Sequence, residues 1–421
     1  MMEAVFLFVL VMGLLVLRQS VILVLIVCAG YIHLFYGDGD LTYLIDDMWT
    51  AVNRDILLAI PMFILAGNIM SRGSIAERLI AIMRSLTQWL PGGLAVATIL
   101  SCAVFAAISG SSPVTLLAVG SILYPALIKQ GYNKKFALGA LASAGTLGIV
   151  IPPSIPMIFY AIVTENSIGD LFLAGLIPGL LLAAVLSIYS LVVNRNIPSQ
   201  PFDISAVWYA LKRGIFALMT PVILLGGIYS GYFSATEAAG VAVAYALLVE
   251  VFVHREIKLV DFYDLSIDTA RLLGTILPIL AVATSINILL TAEQIPQEFA
   301  AWMTSVVDDK ITFLIALNVM LLIVGCLVDI ISAILMLAPI LLPVAMAYGI
   351  DPIHFGVIMV VNLEIGYITP PIGLNLIVAM TAFKESFLTI CQAVLPFILL
   401  MIFVLILVVW FPQISLVLLN R

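Results

Sequence analysis

Charge is what this chain has least of. Only 10% of its 421 residues are Asp, Glu, Lys or Arg, against 64% hydrophobic, and its mean hydropathy is +1.24. A soluble domain carries about 25% charged and about 45 to 50% apolar residues. The deficit excludes a soluble enzyme, a disordered chain and a nucleic-acid-binding protein. Histidine is scarce too, with only His33, His254 and His354. The four cysteines, Cys28, Cys102, Cys326 and Cys391, sit in apolar runs at spacings that suit neither a disulfide framework nor a zinc site. What remains is an all-α polytopic membrane protein.

A membrane-crossing helix needs ~20 predominantly apolar residues. By that measure helices are predicted within 4–17, 20–36, 54–72, 94–128, 135–162, 170–194, 214–232, 236–254, 268–291, 311–348, 353–381 and 387–412. The first run is expected to be a retained, short span, because Glu3 replaces the basic flank of a signal peptide and no small-x-small cleavage site follows. Runs 94–128 and 311–348 are each too long for one helix and are divided by polar residues. Two arms of about 15 to 18 residues, roughly 25 Å each, suit a re-entrant helical hairpin whose tip stops inside the membrane.

Sliding the chain on itself by 218 residues aligns its punctuation. Pro125 falls on Pro343, Gly131 on Gly349, Gly148 on Gly366, Pro152 and Pro153 on Pro370 and Pro371, and Pro178 on Pro396. This predicts a first repeat over 1–195, an amphipathic connector over 196–213 and a second repeat over 214–421. The membrane is crossed five times between equivalent points if 94–128 is a hairpin, and seven times if it is two spans. Both numbers are odd, so the second repeat is expected to be inverted. Inverted repeats with discontinuous helices are a signature of secondary transporters.

The net charge of −7 conceals an asymmetry. Arg18, Arg72, Arg78, Arg84, Lys129, Lys134, Lys135, Arg195, Lys212, Arg213, Arg255, Lys258, Arg271 and Lys384 fall on one predicted face, and only Arg54, Lys310 and Arg421 on the other. The basic face is expected to be cytoplasmic, which leaves both termini outside. Asp38, Asp40, Asp46, Asp47, Glu165, Asp170, Glu293, Glu298, Asp308 and Asp309 make the outer rim acidic, either as solvated loops or as a docking surface for a basic partner.

The chemistry gathers at two predicted helix breaks, Gly148-Ile-Val-Ile-Pro-Pro-Ser154 and Gly366-Tyr-Ile-Thr-Pro-Pro-Ile372. Proline donates no N–H and clashes with the carbonyl four residues back. Pro152 and Pro153 are thus expected to release the carbonyls of Gly148 and Ile149, and Pro370 and Pro371 those of Gly366 and Tyr367. Freed carbonyls at membrane depth need protein, water or an ion. The first predicted hairpin tip reads Ser109-Gly-Ser-Ser-Pro-Val-Thr115, with Ser112 and Pro113 expected as N-cap and first helical residue. The helix N-terminus there favours an anion. The hydroxyls of Ser109, Ser111 and Ser112 can join freed carbonyls around a hard cation, which sodium fits better than a soft metal. The second tip, Gly325-Cys-Leu-Val-Asp-Ile-Ile-Ser332, offers Asp329 as cap. Ser332, Thr369 and the carbonyls near Gly366 suggest a second cation site. Among the other intramembrane polar residues, Glu237, Glu364, Asn287, Asn318, Asn362 and Asn375, Glu237 reads as a helix-start residue and Glu364 as a candidate for ion or proton coupling.

At these residues the sequence resembles the large membrane subunit, DctM-like, of the tripartite ATP-independent periplasmic (TRAP) transporters. The matching segments are Ile60-Pro-Met-Phe-Ile-Leu-Ala-Gly-Asn68, Ser109-Gly-Ser-Ser-Pro113, Ile151-Pro-Pro-Ser-Ile-Pro156, Ala174-Gly-Leu-Ile-Pro-Gly179, Gly226-Gly-Ile-Tyr-Ser-Gly-Tyr-Phe-Ser-Ala-Thr-Glu-Ala-Ala239 and Ile368-Thr-Pro-Pro-Ile-Gly-Leu-Asn375. Near the N-terminus Arg18-Gln-Ser-Val occupies a turn where the family often has Gly-x-Pro. The resemblance implies a sodium-coupled importer of small organic acids in the bacterial inner membrane, working as an elevator and not as an enzyme. Its moving transport domain would comprise approximately 94–194 plus 311–412, and its scaffold approximately 1–93 plus 214–291. It implies as partners a small four-helix membrane subunit and a periplasmic substrate-binding protein. On this analogy one sodium falls at Ser109, Ser112, Gly148, Ile151 and Pro153, and a second at Gly325, Ser332, Gly366, Thr369 and Ile372. Substrate falls near Ser111, Asp329 and Asn375.

Three other readings compete. A stand-alone sodium or proton symporter of dicarboxylates or citrate would share the design without a binding protein. An intramembrane hydrolase would use Ser109 or Ser111, but no serine has an evident base. A non-transporting scaffold would not require two proline-broken helices beside hydroxyl-rich tips.

Overall fold

A computed structural model describes residues 6–7, 9–11, 13–14, 17, 19–36, 39–258 and 260–419. Residues 4, 5, 8, 12, 15 and 16 of the expected span 4–17, together with Arg18, Asp38 and Arg421, lie outside the described residues. Ten helices among those described are long and apolar enough to cross a membrane.

The first part of the chain forms α1 (Val21–Phe35), α2 (Thr42–Val52), α3 (Ala59–Arg72) and α4 (Ile75–Thr87). Then come α5 (Gly93–Ser109) and α6 (Ser112–Lys129), the two arms of the first hairpin. The first broken helix follows as α7 (Lys134–Gly145), a short α8 (Leu147–Val150) and α9 (Ile155–Thr164). The long α10 (Ile168–Val193) closes this half.

The second half opens with α11 (Ile204–Tyr229), whose first turns take up residues 204–213 of the expected connector. Next are α12 (Ala235–Leu247), a π-helical turn (Leu248–Val253), α13 (Asp261–Ala292) and the amphipathic α14 (Ile295–Val306). The second hairpin is α15 (Lys310–Leu327) with α16 (Ile330–Ala347). The second broken helix is α17 (Pro352–Tyr367) with α18 (Leu374–Phe383), followed by α19 (Phe387–Trp410) and α20 (Gln413–Leu416). Helices α2, α4 and α14 fall outside the runs read as spans, because their polar faces interrupt the apolar count.

The packing interlocks the two halves. Helix α9, which follows the first break, packs on α16 of the second hairpin, and α18, which follows the second break, packs on α6 of the first. Helix α19 lies along α7. The segment Lys134–Thr164 carries the core, with 94% of its most apolar window buried. Outside this group α3 packs on α12, α4 on α11, and α13 on both α1 and α2.

Capping shows why the ends fall where they do. Ser234 and Glu237 form a reciprocal capping box at the start of α12, which gives Glu237 the helix-start role read from sequence. A less expected cap comes from another helix. Glu250, fully buried in the π-helical turn, accepts from the backbone N–H groups of Ser74 at 3.2 Å and Ile75 at 3.0 Å, so it satisfies donors at the start of α4. His254 lies 3.4 Å from the same carboxylate. Gly73 has no Cβ where one would stand 2.2 Å from the Glu250 carboxyl carbon.

At the end of the bundle near α6, α7 and α19, Lys134 pairs with Glu385 at 2.7 Å, and the Tyr124 hydroxyl donates to Glu385 at 3.0 Å. The Lys134 ammonium, with the Tyr124 hydroxyl, holds this carboxyl below the usual carboxylate range.

Glu250→Ala leaves buried N–H groups unpaired and is expected to cost about 2 kcal/mol, read as a lowered midpoint of thermal unfolding in lipid nanodiscs. Glu250→Gln, which retains an acceptor, should cost less. Because the Glu385 pKa is depressed in the fold, its contribution is present above the unfolded carboxylate value of about 4.3 and disappears as pH falls through the lower folded value. Stability should drop with acidification in that window, and Lys134→Gln should flatten the drop.

Candidate functional site

Each hairpin tip is pressed against the helix break of its own half. At the first tip α5 ends on Gly110, whose φ of +60° is the left-handed conformation that glycine tolerates best. The Gly110 carbonyl then accepts from the backbone N–H of Ile155, the first residue of α9, at 3.3 Å. A Cβ on Gly148 would lie 2.5 Å from the Ser111 carbonyl oxygen and 2.6 Å from the Thr115 hydroxyl. The second tip repeats the arrangement with different atoms. A Cβ on Gly366 would lie 2.6 Å from the Gly325 backbone, and the Gly373 N–H donates to the Cys326 carbonyl at 3.2 Å. Both Pro152-Pro153 and Pro370-Pro371 are cis peptides.

The first set of residues is therefore brought together. Ser109, Ser112, Gly148, Ile151 and Pro153 are all buried around one junction. The Ser109 hydroxyl is 2.7 Å from that of Thr115, a residue one turn into α6 that sequence reasoning did not single out. The Ser112 hydroxyl is buried without a hydrogen-bond partner. One expectation shifts by a residue: the N-cap of α6 is Ser111, with Ser112 already helical, and no side chain bonds the cap. Ser111 takes the extended conformation of a cap because the chain turns back at Gly110, which moves the helix start one place earlier.

In the second set Gly325 and Gly366 touch, and Ser332 is buried with an unpartnered hydroxyl. Asp329 caps α16 as expected, accepting from the Ser332 N–H at 2.9 Å. The expectation for Gly366 needs correction, since its carbonyl accepts from the Thr369 N–H at 2.8 Å. The chain tightens by one residue before the prolines, so a three-residue turn replaces the lost helical bond. The Thr369 hydroxyl donates to the Ile365 carbonyl at 2.7 Å. Unlike the first break, which is buried throughout, the second opens at Pro371 and Ile372, both exposed.

The three residues expected near substrate are not bonded to one another. Asn375 donates to the Ala142 carbonyl on α7 at 3.2 Å, while its amide oxygen is buried without a partner. Asn362 donates to the Asn318 side chain at 2.7 Å and so ties α17 to α15. Glu364 joins the two halves. It is fully buried on α17, faces the Ser112 hydroxyl of the first hairpin, and has neither carboxylate oxygen in a hydrogen bond. An unpaired ionised carboxylate so placed is costly by several kcal/mol unless a cation or a proton neutralises it.

Away from the tips, Ser285 donates to Asp47 at 3.0 Å and lies 2.9 Å from His33 Nε2, which links α13, α2 and α1. The hydroxyl proton points at the carboxylate, so the imidazole is not placed as its base.

Two hairpins seated on two broken helices inside a bundle of apolar spans define a multi-pass membrane transporter architecture. The backbone is similar to that of the YdaH transporter of Alcanivorax borkumensis, with a TM-score of 0.64, 15% identity, and 90% of this chain and 89% of that one covered. That likeness concerns the fold alone. Sequence carries the relationship further: residues 8–414 match the family model described as tripartite ATP-independent periplasmic transporter, DctM component. The chain is 44% identical over 367 residues to the C4-dicarboxylate TRAP transporter large permease protein DctM of Pseudomonas aeruginosa, covering 86% of each. It is 40% identical to the isethionate TRAP transporter permease protein DctMQ of Oleidesulfovibrio alaskensis, covering 90% of this chain and 60% of that protein. This chain belongs to the DctM family of TRAP transporter large permeases.

Gly148→Ala and Gly366→Ala each insert a Cβ into backbone at under 3 Å. Each is expected to lower the transport rate by at least about tenfold by lifting its tip off the break, a barrier change of roughly 1.4 kcal/mol or more. Gly226→Ala, where a Cβ meets nothing within 4 Å, should leave uptake unchanged.

Proposed function

We propose that this permease imports a small organic acid anion across the bacterial inner membrane in symport with sodium. The observation that carries the reading is the pair of tip-on-break junctions, each with a buried serine hydroxyl, Ser112 or Ser332, that has no hydrogen-bond partner. Buried polar atoms are nearly always paired. Hydroxyl and carbonyl oxygens around each junction form the hard donor set that sodium prefers.

The first sodium would take Ser109, Ser112, Gly148, Ile151 and Pro153, and the adjacent Glu364 would supply the compensating negative charge. The second would take Gly325, Ser332, Gly366, Thr369 and Ile372. Gly148, Ile151, Pro153, Gly325 and Ile372 would serve through their backbone carbonyls, and Gly366 through the second lone pair of a carbonyl that already accepts from the Thr369 N–H. Substrate would lie between the tips near Ser111, Asp329 and Asn375, with the α6 and α16 N-termini favouring its carboxylate. The relatives named for C4-dicarboxylates and isethionate support an organic anion as cargo.

The two halves would be inverted repeats, and residues 94–194 with 311–412 would move as one body against a scaffold of 1–93 with 214–291. The interlocking of α9 with α16 and of α18 with α6 supports one moving body. A small four-helix membrane subunit and a periplasmic binding protein would complete the transporter, with both termini of this chain on the periplasmic side. The alternative, a symporter that works alone, differs in needing no binding protein.

Ser112→Ala and Thr369→Ala should each weaken the sodium dependence of uptake in proteoliposomes, raising the half-saturating sodium concentration by about tenfold for a lost ligand worth roughly 1.4 kcal/mol, with membrane insertion intact. Unchanged sodium dependence in both variants removes the assigned sites. Uptake without the small subunit and binding protein would favour the stand-alone symporter.

A further inference from the structure

The register that superposes the two halves sets Ser111 on Asp329, and the structure gives both the same place. Each is the N-cap of a hairpin's second arm, Ser111 of α6 and Asp329 of α16. Their chemistry differs. Ser111 is neutral and no side chain caps α6, so the positive end of that helix dipole is free to meet an anion. Ser112, the first residue of α6, is buried with an unpartnered hydroxyl. Asp329 instead brings a carboxylate to the second tip. One of its oxygens accepts from the Ser332 N–H at 2.9 Å; the residue is half-buried, and its other oxygen is in no hydrogen bond among the described residues.

The hairpins and the helices that follow them put no basic side chain at either tip. Within 94–194 and 311–412 the Lys and Arg residues are Lys129, Lys134, Lys135 and Lys384, all exposed at helix ends. Lys129 closes α6, about 25 Å of helix away from Ser111. A second acid, Glu364, faces Ser112 and shares Tyr367 as a neighbour with Asp329. Sodium ions at the two junctions would offset these two carboxylates and leave no positive charge over for a second carboxylate on the cargo.

We propose that the cargo is a monocarboxylate whose far end donates a hydrogen bond, with its carboxylate at the open start of α6 and its donor, a hydroxyl or amide N–H, on the free oxygen of Asp329. The proposal rests on the reading of the two tips as the substrate site and adds the class of molecule that site takes. A dicarboxylate would set its second carboxylate against Asp329, where like charges repel. A monocarboxylate with an apolar far end would leave the Asp329 oxygen without a donor. Two caps in equivalent places, one neutral and one anionic, suit a molecule whose two ends differ.

Thermal unfolding of the full chain in lipid nanodiscs tests the assignment, because a ligand of the folded protein raises the midpoint with concentration. Three probes of nearly one shape are titrated in sodium buffer: succinamate, with a donor amide at its far end; monomethyl succinate, with no donor; and fully ionised succinate. Succinamate should half-saturate at a concentration about tenfold lower than either of the others. Asp329→Asn, which keeps a good cap on α16, should bring succinate to near equality with succinamate, and its midpoint without ligand checks the fold. Succinate or the methyl ester binding as tightly as succinamate overturns the proposal and leaves the substrate site standing, as does a preference for succinamate that Asp329→Asn does not change. If none of the three shifts the midpoint, with or without sodium, the proposal falls together with the substrate site.

Discussion

Everything distinctive in this fold follows from the need to satisfy backbone groups where an apolar helix is interrupted. Pro152-Pro153, buried, and Pro370-Pro371, at a break that opens at Pro371, withhold N–H donors where helices inside the bundle are interrupted. The chain answers by bringing a second interruption, the tip of a hairpin, onto each break. Only glycine allows the approach, at Gly148 against Ser111 and at Gly366 against Gly325. The hydrogen bonds from Ile155 to Gly110 and from Gly373 to Cys326 then close each junction with backbone atoms. Polar hairpin tips can remain inside the protein because the breaks need them there.

The same constraint explains why the junctions are where we propose the cations bind. A junction of two interrupted helices supplies helix ends, carbonyls and short hydroxyl side chains within a few ångströms, with no long side chain to fill the space. Ser112, the first residue of α6 after its cap, and Ser332, the third of α16 after its cap, are the unpartnered hydroxyls in the two junctions. The junctions are not copies, however. The first is buried throughout and gains Thr115 and the facing carboxyl of Glu364, whereas the second opens at Ile372 and relies on Asp329 to cap its tip.

Much of this was readable beforehand because membrane proteins advertise their interruptions. In runs as apolar as 94–128 and 311–348, the serines, glycines and prolines stand out, and they mark the tips and breaks within a residue or two. The errors were local. Helix α6 starts one residue before the expected place, because turn geometry at Gly110 decides the cap. The Gly366 carbonyl is taken by Thr369, because a tighter turn precedes the prolines. Glu250 was invisible as a cap for α4, since its partners at Ser74 and Ile75 lie far away in sequence and belong to a different helix.

The sequence by itself determined the class of protein, the positions of its spans and the residues at which the helices fail, since these depend on composition and on the chemistry of proline and glycine within short windows. Only the tertiary structure decided which interruption meets which. It crossed α9 onto α16 and α18 onto α6, turned Glu364 toward Ser112, and left one junction buried and the other open. Those outcomes depend on packing between segments far apart in the chain. Apolar surface drives burial without direction, so the choice of partner rests on shape, on where glycines permit close contact, and on which polar groups then find a partner.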